Sequence, residues 1–322
     1  MSFAEAVSFI GSHGRFLITS HVNPDGDAIG AAMGVKWALD QLGKESQIIF
    51  DSKPPEIFSF LENYQAIGAM EAAAGVAPFD AAIFVDSPTL ERVGLAAGKL
   101  AAGARILNVD HHVSNEYFGY ANLVEPTMSS SAEMVYQLII QLGLKPDRIC
   151  AEYLYTGLII DTGRFRFSNT SPSTFRMAAE LVTAGARPEK ISEAIYERNT
   201  LATTQALGRF IESLEVHFGG RAAIGSFGYD YISSEEYKEV ETEGFVNHAL
   251  SIHGVDVAAF LKEIGKGKTR ASLRSRGKVD VNLLASVFGG GGHERAAGCT
   301  IMAPLAEAKA RLLSEIELRI NS

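Results

Sequence analysis

The chain has little cysteine, no long apolar run, no excess of positive charge and no internal repeat, and each lack excludes something. Its two cysteines, Cys150 and Cys299, lie far apart with no Cys-x-x-Cys or Cys/His spacing around them, so neither a disulfide framework nor a structural zinc site is indicated. A reducing, cytoplasmic setting fits that usage best. No stretch of about 18 uncharged apolar residues occurs, and the N-terminus shows no basic segment leading into an apolar core, which predicts a protein with no membrane span and no export signal. With 29 basic against 38 acidic residues the formal charge is −9. That is the wrong sign for a broad grip on long duplex nucleic acid, whose affinity comes largely from phosphate neutralisation. Any anionic ligand must be held locally. What remains is an ordinary globular composition, 47% hydrophobic and 21% charged over 322 residues, a length for about two domains.

Short apolar runs alternate with amphipathic stretches through the first half, at residues 16–19, 28–42, 47–50, 82–85 and 105–109. Strands separated by helices predict an α/β domain built on a parallel sheet covered on both faces. Each strand-like run ends in a polar cluster, and in open α/β sheets the carboxyl ends of the strands are where ligands bind. Further on, the apolar spacing is helical over 130–142 and 146–160, and Ser171-Pro172 reads as an N-cap followed by proline at the first helical position. A helical connector is expected over 188–217, without the Gly, Ser and Pro of a floppy tether. Beyond it, strands near 221–227, 255–264 and 269–276 and helices near 234–240, 281–288 and 303–320 predict a second, smaller α/β domain. The expected boundaries are 1–187, 188–217 and 218–322.

His21, Asp25 and Asp27 share one turn after the first strand, and Gly26 lets the backbone bend between the acids. Asp86, Asp110, His111, His112 and Asp161 stand at other element ends. Each alone reads as a turn or helix cap. So many carboxylates on one sheet edge would repel one another unless protonated or neutralised, and a dinuclear metal centre is the economical solution. Carboxylate and imidazole without thiolate suit Mn²⁺ and tolerate Mg²⁺, Co²⁺ or Fe²⁺. The serines at 129–131 precede a helix without the glycines of a nucleophile elbow and read as its cap.

Seven basic residues and one acid lie between Lys262 and Lys278, a local charge of +6. Arg270, Ser272 and Arg274 alternate along one predicted strand, so they share a face that can grip a phosphate. Phe288 is followed by four glycines and His293, a run whose exposed amides suit a close-approaching anion, although no Gly-Lys-Ser/Thr follows and it is not a Walker loop. Arg164-Phe165-Arg166-Phe167 interleaves bases with rings, and both rings are expected in the core as one sheet face.

His-Val-Asn-Pro-Asp-Gly-Asp-Ala at 21–28, Val-Asp-Ser at 85–87, Asp-His-His at 110–112 and Ile-Asp-Thr-Gly at 160–163, in that order, resemble the DHH phosphoesterase superfamily. The tail resembles the glycine-rich motif of the DHH-associated domain. By that resemblance one divalent ion would be held by His21, Asp25 and Asp86 and a second by Asp27, Asp86, His111 and Asp161, with Asp86 bridging. His112 would contact the scissile phosphate, and Asp110 would orient a neighbouring histidine. The pair of ions would acidify a water and stabilise charge on the transferring phosphoryl group. Arg270, Ser272, Arg274, Gly290, Gly291, Gly292 and His293 would hold the nucleotide, and Asn115 is a further candidate for phosphate contact.

With a DHH domain and a DHH-associated domain only, the chain resembles the nanoRNase branch, which combines oligoribonuclease with phosphoadenosine-phosphate phosphatase activity. The implied reaction is hydrolysis of very short oligoribonucleotides, roughly two to five nucleotides long, to nucleoside 5′-monophosphates, with phosphatase activity on adenosine 3′,5′-bisphosphate. A cyclic-dinucleotide phosphodiesterase is the rival reading. A pyrophosphatase has no need of the glycine tail, and a non-catalytic nucleotide sensor has no need to keep all six metal ligands. Small nucleotides are the expected partners, and the resemblance suggests a homodimer.

Overall fold

Three apolar residues in a row, Phe16, Leu17 and Ile18, lie within Arg15–Thr19 (β1), a strand buried on both sides from Phe16 onward. Such continuous runs belong to parallel strands covered on both faces. β1 is flanked by β2 (Glu45–Phe50) and β4 (Phe79–Val85), with β3 (Ile67–Ala69) outside β2, and β5 (Leu100–Asp110) and β6 (Ala121–Val124) beyond β4. Every pairing in this six-stranded sheet is parallel, in the order β3-β2-β1-β4-β5-β6. The order reverses between β1 and β4, which opens a crevice at their carboxyl ends. The structure is a computed structural model that describes residues 2–320.

Alternate strand residues separate two layers. Phe16, Ile18, Ile83, Val85 and Leu107 face α1 (Phe3–Ser12), α2 (Gly26–Gln41), α3 (Ser131–Gln141) and α4 (Arg148–Asp161), with α5 (Pro172–Thr183) and α6 (Pro188–Tyr196) outside them. Leu17, Ala82 and Phe84 face the other way, against Val93 and Ala96 of a 3₁₀ stretch, Glu91–Lys99. The sheet is thus covered on both faces as expected, though α-helices cover only one. Phe16, Ile18, Ile29 and Ile83 are fully buried, and each contributes about 1.5–3 kcal/mol through removal from water.

The crossing of α2 and α4 places the chemistry. A Cβ on Gly30 would lie 2.4 Å from the Tyr153 carbonyl, and one on Gly157 would lie 2.7 Å from both Ala132 Cβ and Asp27 Oδ1. Only glycine lets these two helix backbones approach so closely. That approach brings the start of α2, with Asp27, beside the end of α4, with Asp161.

The chain divides between Glu197 and Arg198 into two compact units. Within the stretch 188–217, α6 sits in the first core through Ile191, and α7 (Leu201–Glu212) starts afresh from Thr200, whose side chain accepts from the Thr203 amide. Residues 197–200 carry no apolar anchor that would hold one continuous helix. Glu215–His217 is a strand, β7, rather than helix.

The second unit is a mixed sheet in the order β11-β12-β10-β9-β8-β7, from β8 (Ala222–Phe227), β9 (Val257–Gly265), β10 (Lys268–Ser275), β11 (Gly291–His293) and β12 (Ala296–Ile301). Only β8 and β9 pair in parallel. Ala259, Leu261, Ala271 and Leu273 pack under α10 (Val281–Ser286) and α11 (Leu305–Ile320). Ala258 and Phe260 pack on the opposite face with Phe210 of α7 and Phe245 of α9 (Phe245–Leu250), while α8 (Tyr229–Ile232) follows β8. The glycine run does not stay a loop. Gly291 pairs with Gly298 and His293 with Ala296, and a Cβ on Gly290 would stand 2.3 Å from the Gly298 carbonyl. Strand pairing uses the backbone alone, so side-chain propensity did not reveal it.

The expectation for residues 164–167 is overturned. They form a turn, not a strand, with Gly163, Arg164 and Phe165 all in the left-handed region, and the amides of Arg166 and Phe167 both donate to the Thr162 carbonyl. Phe165 packs against Phe175 and Tyr155, but Phe167 is half exposed. The rings are therefore not partners on one face.

Candidate metal centre and nucleotide-binding face

Parallel strands deliver their carboxyl ends to one edge, and there the structure gathers the first unit's acids and histidines. His21 follows β1, Asp25 caps α2 by accepting from the amides of Asp27 and Ala28, Asp86 follows β4, Asp110 ends β5 before His111 and His112, and Asp161 ends α4. Three overlapping groups have ligand atoms within 4.8 Å of one another: His21, Asp25 and Asp86; Asp27, His111 and Asp161; and Asp86, His111 and His112. Asp86 belongs to two of them. His111 Nε2 lies 3.5 Å from Asp161, 3.7 Å from Asp86 and 3.9 Å from Asp27, and His21 Nε2 lies 3.3 Å from Asp86. These gaps are mostly long for hydrogen bonds and suit donors arranged around a shared ion about 2 Å from each.

The histidines are oriented for that use. His21 Nδ1 lies 2.8 Å from the Val22 carbonyl and His111 Nδ1 3.3 Å from the Met128 carbonyl, so each ring donates through Nδ1 and presents a bare Nε2. Asp27, wholly buried, accepts from the Ser131 and Ala132 amides at 2.6 and 2.9 Å, at the start of α3. Ser131 Oγ also donates to Asp86 Oδ1 at 3.0 Å, and Asp86 has a φ of 53°, a left-handed conformation that non-glycine residues avoid. Buried Glu133 accepts from the amide and hydroxyl of Ser129 and from Ser173 Oγ, which fixes the approach to α3. Ser130 is the N-cap, as the serine run implies. The holding roles of Ser131 and Glu133 escaped the sequence reading, because a serine run before a helix gives no sign of what its flanking hydroxyl reaches.

The buried carboxylates oppose one another's ionisation. Burial, then the charges of Asp86, Asp161 and Asp25, pushes Asp27 well above the carboxylate range. Burial lifts Asp161 to about 6, with Asp86 and Asp25 pushing the same way and His111 and His112 opposing them. Asp86 stays below its ordinary value because His21, His112 and His111 surround it and overcome its burial. Carboxylates that push each other toward neutrality are what a bound divalent ion reverses.

His112 stands apart. Its Nδ1 lies 2.7 Å from Asp110 Oδ1, and although burial works against the charge, Asp110 and Asp86 raise its pKa to about 9. Asp110 in turn accepts from the His111 amide at 2.9 Å and from Asn115 Nδ2 at 2.6 Å. Asn115 is buried and also donates to Asn108 Oδ1, so its amide is occupied in holding Asp110. Its side-chain amide is turned toward Asp110, which holds His112.

In the second unit Arg270, Ser272 and Arg274 do lie on one face of β10, opposite the buried Ala271 and Leu273. A hollow of about 580 Å³ beside Arg270 is lined by Lys268, Phe288, Gly290, Gly291 and Gly298 among others. Ser272, Arg274, Gly292 and His293 are outside that lining, although register puts Arg274 and His293 on one row across Ala296.

Residues 15–158 match the DHH family, N-terminal domain, and residues 219–322 match the DHHA1 domain. The chain is 33% identical to the bifunctional oligoribonuclease and PAP phosphatase NrnA of Thermus thermophilus, over 89% of this chain and 84% of that one. It is 26% identical to the Bacillus subtilis protein of the same name, over 92% of both chains. A crystal structure of an exopolyphosphatase-related protein from Bacteroides fragilis superposes with a TM-score of 0.89 at 27% identity, covering 98% of this chain and 95% of that one.

Proposed function

Because the chain belongs to the DHH family, in the branch of the bifunctional oligoribonucleases, we propose that it is a metal-dependent phosphodiesterase. Its reaction is hydrolysis of very short oligoribonucleotides to nucleoside 5′-monophosphates, with phosphatase activity on adenosine 3′,5′-bisphosphate. The observation that carries this reading is the position of Asp86, which shares one ligand group with His21 and Asp25 and lies 3.7 Å from His111 Nε2, itself grouped with Asp27 and Asp161. His21, Asp25 and Asp86 would hold one divalent ion, and Asp27, Asp86, His111 and Asp161 the other, with Mn²⁺ the best match to a donor set of carboxylate and imidazole. When bound, such a pair lowers the pKa of a water and neutralises charge developing on the phosphoryl oxygens.

The protein's own groups do the rest. His112, whose pKa Asp110 and Asp86 raise against its burial, faces the same cluster and would donate to the substrate phosphate, while Asp110 keeps its ring in register and Asn115 keeps Asp110 there. The second unit would hold the nucleotide through Arg270, Ser272, Arg274, the glycines 290–292 and His293. We take the domains as 1–187 for hydrolysis and 218–322 for substrate holding, with 188–217 connecting them. The reading extends to a homodimer in a reducing, cytoplasmic setting, consistent with two free buried cysteines and with no described helix long and apolar enough to cross a membrane.

Product analysis tests the assignment. Purified protein with Mn²⁺ is offered diadenylate, a long RNA, cyclic diadenylate, adenosine 3′,5′-bisphosphate and pyrophosphate in parallel. Diadenylate and the bisphosphate should be consumed and the long RNA left. Preference for cyclic diadenylate moves the protein to signalling, and no turnover leaves a nucleotide-binding sensor.

Gly157 offers a probe that replaces no ligand residue. In Gly157→Ala the new methyl meets Asp27 Oδ1 and Ala132 Cβ, both at 2.7 Å, so Asp27 must leave the α3 amides. We expect Mn²⁺ affinity to fall about 10- to 100-fold, as when the support of a ligand is removed, with about 1–3 kcal/mol of stability lost to overpacking. Calorimetric Mn²⁺ titration and a thermal melt read the two effects separately, and unchanged affinity would place Asp27 outside the metal centre.

A further inference from the structure

Five of the six proposed metal ligands have a hydrogen bond that holds the side chain itself. The Nδ1 atoms of His21 and His111 lie against the carbonyls of Val22 and Met128. Asp25 accepts from the amides of Asp27 and Ala28, Asp27 from those of Ser131 and Ala132, and Asp86 from the Ser131 hydroxyl. Asp161 is the exception. Among the described residues nothing donates a hydrogen bond to its carboxylate, which meets His111 Nε2 at 3.5 Å. Where this carboxylate stands is therefore set by the backbone that carries it.

Asp161 is the last residue of α4, where a helix leaves its final carbonyls without intrahelical partners. The chain turns back over residues 162–169, and Asn169 closes that turn on Asp161. Asn169 Nδ2 donates to the Asp161 carbonyl at 3.1 Å and to the Ser129 carbonyl at 2.9 Å. A primary amide carries two N–H groups on one nitrogen, so it can serve two carbonyls at once. The same two carbonyls fix which end of the amide faces them, because its oxygen would meet only other oxygens there. Asn169 Oδ1 is buried with no donor among the described residues, so the side chain is held by its nitrogen at the cost of an unsatisfied acceptor.

Ser129 belongs to a short segment, residues 128–132, that supports three ligands of the second ion. The Met128 carbonyl orients His111, the Ser131 and Ala132 amides hold Asp27, and the Ser131 hydroxyl reaches Asp86. Asn169 ties this segment to Asp161, the remaining ligand of that ion. We propose that Asn169 is a positioning residue for the second ion, fixing Asp161 against the segment that holds His111, Asp27 and Asp86. This role rests on the proposed function only in that these residues bind two divalent ions. It asks nothing of the substrate or of the second unit. Without the Asn169 amide, the one ligand whose side chain has no support of its own loses its link to the other three.

Calorimetric titration of the metal-free full chain with Mn²⁺ tests this without any substrate. Wild-type protein should bind two ions. In Asn169→Ala one of the two affinities should fall about 10- to 100-fold, the usual effect of removing what supports a ligand, while the other stays near its wild-type value. Asn169→Leu, similar in shape but without the N–H groups, should show the same loss and serves if the alanine variant does not fold. A double-mutant cycle shows whether the loss runs through Asp161. Asp161→Ala keeps the carbonyl that Asn169 binds but has no carboxylate to place. In that background Asn169→Ala should lower the melting temperature and leave Mn²⁺ affinity unchanged. Ser171→Ala removes the side-chain cap of α5 two residues along, and its melting temperature should fall with both affinities kept. Unchanged affinities in both Asn169 variants, equal losses at the two sites, the same loss in Ser171→Ala, or full additivity with Asp161→Ala would overturn the role of Asn169. Wild-type protein that binds one ion or none would instead overturn the dinuclear reading beneath it.

Discussion

Asp86→Ala should abolish hydrolysis while leaving the fold and nucleotide binding by the second unit largely in place. Removing a single transition-state donor from an enzyme commonly costs about 10²–10³ in rate, and Asp86 would serve both ions, so we expect a loss beyond about 10³-fold. Its position explains the severity. It belongs to two of the three ligand groups, it accepts from Ser131, and it sits in a left-handed conformation at the carboxyl end of β4. Asp86 is also the anion around which His21, His111 and His112 are arranged, so its loss removes their shared partner. Turnover of diadenylate at a range of Mn²⁺ concentrations measures the effect, with circular dichroism as the control for folding. A folded Asp86→Ala protein that still turns over would end the dinuclear reading.

The second large effect concerns His112 and what stands behind it. His112→Gln should lower kcat by about 10²-fold or more, the usual contribution of a positioned proton donor, with a smaller change in KM. Asp110→Asn should cost about 10- to 100-fold and in addition move the pH dependence. The direction follows from charge. Asp110 helps raise the His112 pKa to about 9, so removing its charge lowers that value, and the protonated fraction disappears at a lower pH. The alkaline limb of kcat should therefore shift toward neutrality in Asp110→Asn. A profile that only drops, with its limbs unmoved, would mean that Asp110 supports the loop without tuning the ring.

The chemistry was legible in the sequence because it resides in residue types at element ends. Parallel strands show as continuous apolar runs, and whatever follows them falls on one edge, so His21, Asp25, Asp86 and the Asp-His-His segment were bound to converge once the sheet was recognised. Arg270, Ser272 and Arg274 share a face for an equally simple reason, the two-residue period of a strand. Other parts were illegible for equally physical reasons. Asn115 looked like a phosphate contact because a polar residue near a histidine pair carries no mark of direction, whereas its amide is buried against Asp110 and Asn108. The turn at 164–167 looked like a strand because alternating rings have a strand's period, but the end of α4 forces three successive left-handed residues there.

The sequence by itself determined the fold class, the edge of the sheet that carries the acids, and the local charge of the tail, since these depend on periodicity, element order and composition. Tertiary structure alone decided which oxygen or nitrogen each group presents. The α3 amides that hold Asp27, the Ser131 hydroxyl on Asp86, the space that Gly157 leaves, and the reach of Asn169 to Ser129 all join residues distant in the chain. Such partners are set by helix crossing and strand register, and one sequence carries no local trace of either.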